Sequence, residues 1–403
     1  MTTQKIIIAG SGFAGMWASI SAMRAVSLAG KEGEVEVTIV SPEPNVTIRP
    51  RLYEAVLDNM NPDISALLDA VGVHHVAGWV DAIDTAAKTV TVKGIDGGWQ
   101  TLSYDRFVLA AGSQSFRPAV PGLAEFCFDT DQHVSALALD AHLKALAGKP
   151  ETAARNTVVV AGGGLTGLEA ATEMPIRLRA VFGDDADFRV VIVDNGPSVG
   201  AFVGAEALPF VAEALAETGV ETRAGVFVTA IDAECVTLSS GERIETNTVV
   251  WTAGMRASAL TAQLPGEHDP LGRVIGDAFL HAPEADGIFV TGDTVKVPTD
   301  DQGNFNVMSC QHAMSLGRVA GHNAAAEIVG LPLHPYSQPK YVTCLDLGEW
   351  GALYTEGWDR QVRFTRDEGK KIKQEINTVW IYPPAADREA VFAVANPDFV
   401  IVP

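Results

Sequence analysis

The sequence predicts an α/β fold in which a parallel sheet layered with helices is built twice, followed by a smaller α+β unit. Three observations predict it. The chain has 403 residues, too long for one ordinary core, so two or three domains are expected. Two segments repeat the order β-rich run, glycine turn, helix-like stretch, β-rich run. From Leu331 prolines interrupt the chain and aromatic residues become dense, from Tyr336 to Tyr382.

In the first repeat, Lys5 to Ala9 leads into Gly10-Ser11-Gly12-Phe13-Ala14-Gly15, a helix-like stretch through Met23, and a second run from Val35 to Val40. Gly78 to Val92 reads as strands joined by a turn. Arg106 to Ala111 is a buried-strand candidate that stops at Gly112-Ser113, and the Pro-rich passage from Arg117 to Gly122 marks a domain crossover. The second repeat runs from Thr157 to Ala161 into Gly162-Gly163-Gly164-Leu165-Thr166-Gly167, a helix from Leu168 and a strand over Phe188 to Val193. Thr248 to Trp251 then enters Thr252-Ala253-Gly254, and Gly287 to Val290 enters Thr291-Gly292-Asp293. The expected organisation is a discontinuous first domain over 1–118 and 255–332, a second over 119–254, and a C-terminal unit over 333–403.

Composition narrows the classes of function. A hydrophobic content of 47% with 20% charged residues is that of a globular protein. A formal charge of -21 argues against nucleic acid, anionic lipid or an acidic protein carrier as partner, because each requires a basic face. The N-terminus enters an apolar strand without a basic leader, and no apolar run is long enough to span a bilayer. A soluble, cytoplasmic protein without a signal peptide is expected. Cys127, Cys235, Cys310 and Cys344 are far apart, so no metal and no local dithiol is expected.

The two glycine turns carry the chemistry. In a GxGxxG turn the first glycine makes the tight bend and the second lets the backbone approach a pyrophosphate. The third lets the helix pack on the strand. The phosphates then meet free N–H groups at the positive end of the helix. An acidic residue at the end of the second strand holds the ribose hydroxyls of the adenosine. Asp194 fills that place in the second unit and would repel a 2′-phosphate, so NADH is favoured over NADPH. In the first unit either Ser41 or Glu43 is available, and Glu43 also reads as a solvated loop charge. Asp293 follows a strand and a glycine, where a carboxylate serves either a sugar-alcohol chain or the cap of a following helix.

In combination these motifs resemble the two-dinucleotide-binding-domain flavoproteins of the pyridine nucleotide-disulfide oxidoreductase superfamily, and most of all soluble relatives of type II NADH:quinone oxidoreductase, over residues 4 to 355. The resemblance implies two Rossmann-like domains, FAD and NADH as cofactors, and FAD on Gly10, Gly12, Phe13, Ala14 and Gly15. It places Arg49 and Pro50 near the flavin ring, Val80 at the adenine, Ala111 and Gly112 beside FAD, and Gly254 at the return crossover. It assigns Gly292 and Asp293 to the ribityl chain, and Gly162, Gly164 and Gly167 to NADH. It also sets Glu169 close to the nicotinamide, where the competing reading is a first-turn residue favoured by the helix dipole.

Departures from the family pattern shape the expected reaction. No cysteine pair stands after the first helix and no cysteine lies near Gly162 to Glu173, which argues against disulfide reduction and sulfide oxidation. Of the two glutamines near flavin and quinone in the quinone enzymes, Gln311 is kept and the second position is Ser315. The chain ends without a basic amphipathic helix. Gln311 and His312 begin a helix able to stabilise a reduced flavin. His312 is either a proton relay or a histidine satisfied by a nearby backbone group. The leading expectation is an enzyme passing two electrons from NADH through FAD to a quinone or another small planar acceptor. The alternatives are a reductase component for a separate electron carrier, or an NADH-responsive redox sensor resembling apoptosis-inducing-factor relatives. The C-terminal aromatics offer either an acceptor pocket or a homodimer face.

Overall fold

The computed structural model describes residues 3–401. Its largest sheet has the strand order Ile288–Val290, Arg106–Leu109, Gln4–Ala9, Val35–Ser41, His74–Asp84, Thr89–Gly94 and Trp99–Ser103. The first five strands run parallel, and the last two continue from His74–Asp84 as an antiparallel meander. The second sheet has the order Val220–Ala224, Arg189–Asp194, Thr157–Ala161, Thr248–Trp251, Cys127–Phe128, and every neighbouring pair in it is parallel. Ile6 to Ala9 of the first central strand and the whole of Thr157–Ala161 are buried, as strands covered on both faces must be.

Each glycine turn folds the same way. Gly10 and Gly162 have φ of 104° and 118°, conformations that a side chain rarely adopts. A Cβ on Gly15 would overlap the Gly10 carbonyl oxygen, and one on Gly167 would overlap that of Gly162, so the third glycine sets the contact between helix and turn. Gly12 and Gly164 cap the helices Phe13–Leu28 and Leu165–Phe182, and a Cβ on either meets nothing within 4 Å.

Two short strands, Ser113–Ser115 and Met255–Ala257, pair antiparallel where the chain passes from one sheet to the other and back. The helix Cys310–Val329 lies against Phe13–Leu28. Gly317 and Gly321 allow this approach, because a Cβ on either would overlap the backbone of Ala14 or Ala18. The aromatic-rich tail forms an antiparallel sheet of Val342–Asp346, Ala352–Glu356 and Gln361–Phe364, followed by the helices Arg366–Glu375 and Arg388–Val394. Leu345, Trp350 and Leu353 of this unit join the core of the second sheet, whereas Ile381, Val391 and Ala395 join that of the first. The tail therefore braces both halves. No helix among the described residues is long and apolar enough to cross a membrane.

Candidate active site

Between the two sheets and the tail lies a cleft of about 930 Å³. Ten of the predicted site positions reach it from the first half: Gly10, Gly12, Phe13, Ala14, Ser41, Arg49, Pro50, Val80, Ala111 and Gly112. Gly254, Asp293, Gln311 and Glu169 complete the predicted set on its wall. Gly15 and Gly292 stand behind the wall as packing positions, where a Cβ on Gly292 would lie 2.8 Å from that of Ala14. The second turn, Gly162, Gly164, Gly167 and Asp194, is not part of this wall. It adjoins the cleft through Leu165, Thr166 and Glu169 of its own helix.

Asp194 closes the second turn. Its Oδ2 accepts from the Gly163 N–H at 2.6 Å and its Oδ1 from the Gly196 N–H at 2.5 Å. In the first turn the Ser41 hydroxyl donates to the Glu43 carbonyl at 2.6 Å, so its proton is used within the loop. The Glu43 carboxylate is exposed, lies off the cleft wall and accepts from Asn45 at 3.1 Å.

Arg49 sits in a polar chain. It is paired with Asp131 and donates to the Ser113 carbonyl and hydroxyl at 3.3 and 3.2 Å. The Ser113 hydroxyl donates in turn to Asp293 Oδ2 at 2.6 Å, and Arg49 itself lies 3.7 Å from that oxygen. Asp293 occupies a single turn of 3-10 helix, Gly292–Thr294, pinned from behind by the Thr294 hydroxyl donating to the Leu109 carbonyl at 2.9 Å. Four polar side-chain atoms of cleft residues, Ser115 Oγ, Thr130 Oγ1, Gln311 Oε1 and Asn377 Oδ1, are buried and have no partner among the described residues.

Glu169 is buried and meets a residue that no motif announces. Its Oε1 accepts from Lys373 Nζ at 2.7 Å and from the Asp346 N–H at 3.2 Å. Lys373 also donates to the Cys344 carbonyl at 3.0 Å. Burial pushes the Glu169 carboxyl up, and the Lys373 ammonium opposes that without reversing it. Burial would lower the Lys373 ammonium, but Glu169 foremost, with Cys344 and Asp346, carries it upward. Asp346 takes two contacts from Lys370 Nζ, at 2.6 and 2.8 Å, and one from the Tyr53 hydroxyl at 3.1 Å. One turn beyond Glu169, Glu173 is pushed up to about 7, first by burial and then by Asp346. A buried ionic network thus ties the second half's helix to the tail and to the Tyr53 loop of the first half.

His312 is not among the residues lining the cleft, and no backbone group satisfies its ring, whose Nε2 has no partner among the described residues. The side chain is fully buried, its ring lies 5.5 Å from that of Tyr341 and 5.9 Å from that of Trp358, and its Nδ1 contacts Ser309 Oγ at 3.0 Å. Burial pushes its pKa down to about 4, so it is neutral at physiological pH. Ser309 caps the helix Cys310–Val329, and Gln311, in the first turn of that helix, lines the cleft.

The geometry accords with the sequence comparisons. Residues 4–317 match the pyridine nucleotide-disulphide oxidoreductase family. The chain belongs to that family. It is 46% identical over 397 residues to an NADH dehydrogenase-like protein of Mycobacterium tuberculosis, covering 98% of each chain. It is 29% identical over 364 residues to the demethylphylloquinone reductase NdbB of Synechocystis, covering 88% of this chain and 85% of that one. Among solved structures, NDH2 of Plasmodium falciparum in complex with NADH superposes with a TM-score of 0.76 at 12% identity, over 98% of this chain and 97% of that one. The sulfide:quinone oxidoreductase of Aquifex aeolicus gives the same TM-score of 0.76 at 18% identity, over 98% and 92%. These structures share the fold. As a member of the pyridine nucleotide-disulphide oxidoreductase family with NADH dehydrogenase-like relatives, the protein is an oxidoreductase.

Proposed function

We propose that the protein is an FAD-dependent NADH oxidoreductase that delivers electrons to a quinone or another small planar acceptor. The observation that carries this reading is the convergence of the first glycine turn, Asp293, Gln311 and Glu169 on one cleft. The open faces of Gly12 and Gly164 and the unpartnered atoms of Ser115, Thr130 and Gln311 suit two dinucleotides. FAD, when bound, supplies a two-electron carrier that takes hydride from NADH.

The residues do the rest. Gly10 and Gly12 let the backbone and the helix N-terminus meet the diphosphate, and Asp293 accepts from sugar hydroxyls. Asp194 accepts from the NADH ribose through lone pairs its two backbone partners leave free. Glu169, fixed by Lys373, orients the nicotinamide. The N-terminus of Cys310–Val329, with Gln311 in its first turn, favours negative charge on the reduced cofactor. Trp380, Ile376 and Ile381 give the cleft an apolar side suited to a planar acceptor.

The test is purification, release of the bound cofactor by denaturation and its identification, then NADH turnover with a water-soluble quinone against oxygen alone. FAD at one per chain and quinone-dependent turnover are expected. A colourless protein that takes up no FAD overturns the proposal.

A further inference from the structure

Only two cationic side chains line the cleft among the described residues, Arg49 and Lys373. Lys373 is paired with the buried carboxylate of Glu169, whereas Arg49 lines the same cleft as Gly10 and Gly12 of the first glycine turn. Arg49 stands between two carboxylates, Asp131 and Asp293. Which of the two it pairs with decides whether Asp293 is free to accept from ligand hydroxyls.

The geometry points to Asp131 as the positioning residue that makes this choice, holding Arg49 away from Asp293 and so preparing the cleft for FAD. The inference rests on the FAD reading above and extends it. Asp131 is suited to the task in three respects. It comes from the crossover segment after Cys127–Phe128, at the edge of the second sheet, while Arg49 opens the short 3-10 turn Arg49–Arg51 of the first half. It is itself fixed: its N–H donates to Asp129 Oδ1 at 3.0 Å, and its Oδ2 accepts from the Ser115 N–H at 3.0 Å and from Gln132 Nε2 at 3.2 Å. Its side chain is only 10% exposed, so water does not replace it as the partner of Arg49. Asp293, by contrast, already has the Ser113 hydroxyl at 2.6 Å and meets Arg49 only at 3.7 Å. Without the Asp131 charge, the guanidinium has one carboxylate left within reach. Closing that gap would consume Arg49 and Asp293 together.

The experiment is FAD titration of cofactor-stripped protein, followed by flavin fluorescence quenching, for wild type, Asp131→Asn, Asp131→Glu, Arg49→Gln and the double Asp131→Asn/Arg49→Gln. Asp131→Asn is expected to weaken FAD binding roughly tenfold or more, the scale of a charge-assisted contact. Asp131→Glu, which keeps the charge, is expected to restore most of the affinity. The double variant is expected to bind no more weakly than Arg49→Gln alone, because Asp131 acts through Arg49. Arg49→Lys gives a second reading that does not depend on altering Asp131. One ammonium lacks the fork that spans Asp131 and Ser113, so affinity falls here too. Asp131→Asn or Arg49→Lys binding as wild type, or losses that multiply in the double variant, overturns the inference while leaving the FAD reading intact. Wild-type protein that binds no FAD overturns both.

Discussion

Replacing Lys373 with methionine removes the partner of a buried carboxylate. At 2.7 Å the gross attraction between Lys373 and Glu169 is about 6 kcal/mol at an effective dielectric of about 20. Desolvation of two buried ions cancels much of that gain, yet breaking such a pair on one side costs ~3–5 kcal/mol because the remaining charge is stranded. Lys373→Met is therefore expected to lose about that much stability in urea denaturation followed by tryptophan fluorescence. The deficit is expected to narrow as the pH falls and Glu169 takes up a proton. In the double variant Glu169→Gln/Lys373→Met no charge is stranded, and the Gln carbonyl still accepts from the Asp346 N–H. Stability is expected to return to within ~1 kcal/mol of wild type. Single losses that simply add in the double variant would refute the pairing as the source of the effect.

Three further outcomes follow from the same structure. Gly12→Val is expected to leave unfolding of the cofactor-free protein unchanged, since its Cβ meets nothing within 4 Å, and to abolish FAD uptake; Gly15→Ala, which overlaps the Gly10 carbonyl, is expected to lower the melting temperature outright. Glu173, lifted from 4.5 to about 7, contributes stability that is present in full below its unfolded value and lost as the pH rises through about 7. Glu173→Gln is thus expected to gain roughly 2–3 kcal/mol relative to wild type at pH 8 and little at pH 4, read from melting curves at both. Asp194→Ala is expected to cut kcat/KM for NADH by roughly 10–100-fold, the scale of a hydrogen bond to a charged group, and to narrow the preference over NADPH. An unchanged ratio of the two cofactors would remove Asp194 from the specificity argument.

The repeated strand, turn and helix units were legible because glycine spacing and apolar runs are local properties, and both turns adopt the backbone those glycines allow. Ten of the first-half positions singled out in the sequence line the cleft for the same reason. Lys373 was not legible. It lies in Arg-Asp-Glu-Gly-Lys-Lys-Ile-Lys-Gln-Glu, a helix whose composition reads as solvated, and its partner Glu169 is 204 residues away. Asp131 was equally hidden, since nothing in an Asp-Thr-Asp stretch announces an arginine 82 positions earlier. His312 illustrates the reverse case. Its neighbour Gln311 faces the cleft, but a helix turns by about 100° per residue, and that turn leaves His312 off the cleft wall. That rotation sends the ring into the stack of Tyr341 and Trp358.

The most direct test of the account mixes the FAD-loaded protein with one equivalent of NADH in the absence of oxygen while the flavin absorbance is followed. Rapid bleaching, slowed by Glu169→Ala and much weaker with NADPH, is the predicted result. A bound flavin that stays oxidised in the presence of NADH would contradict the claim that the cleft joins a nicotinamide to a flavin.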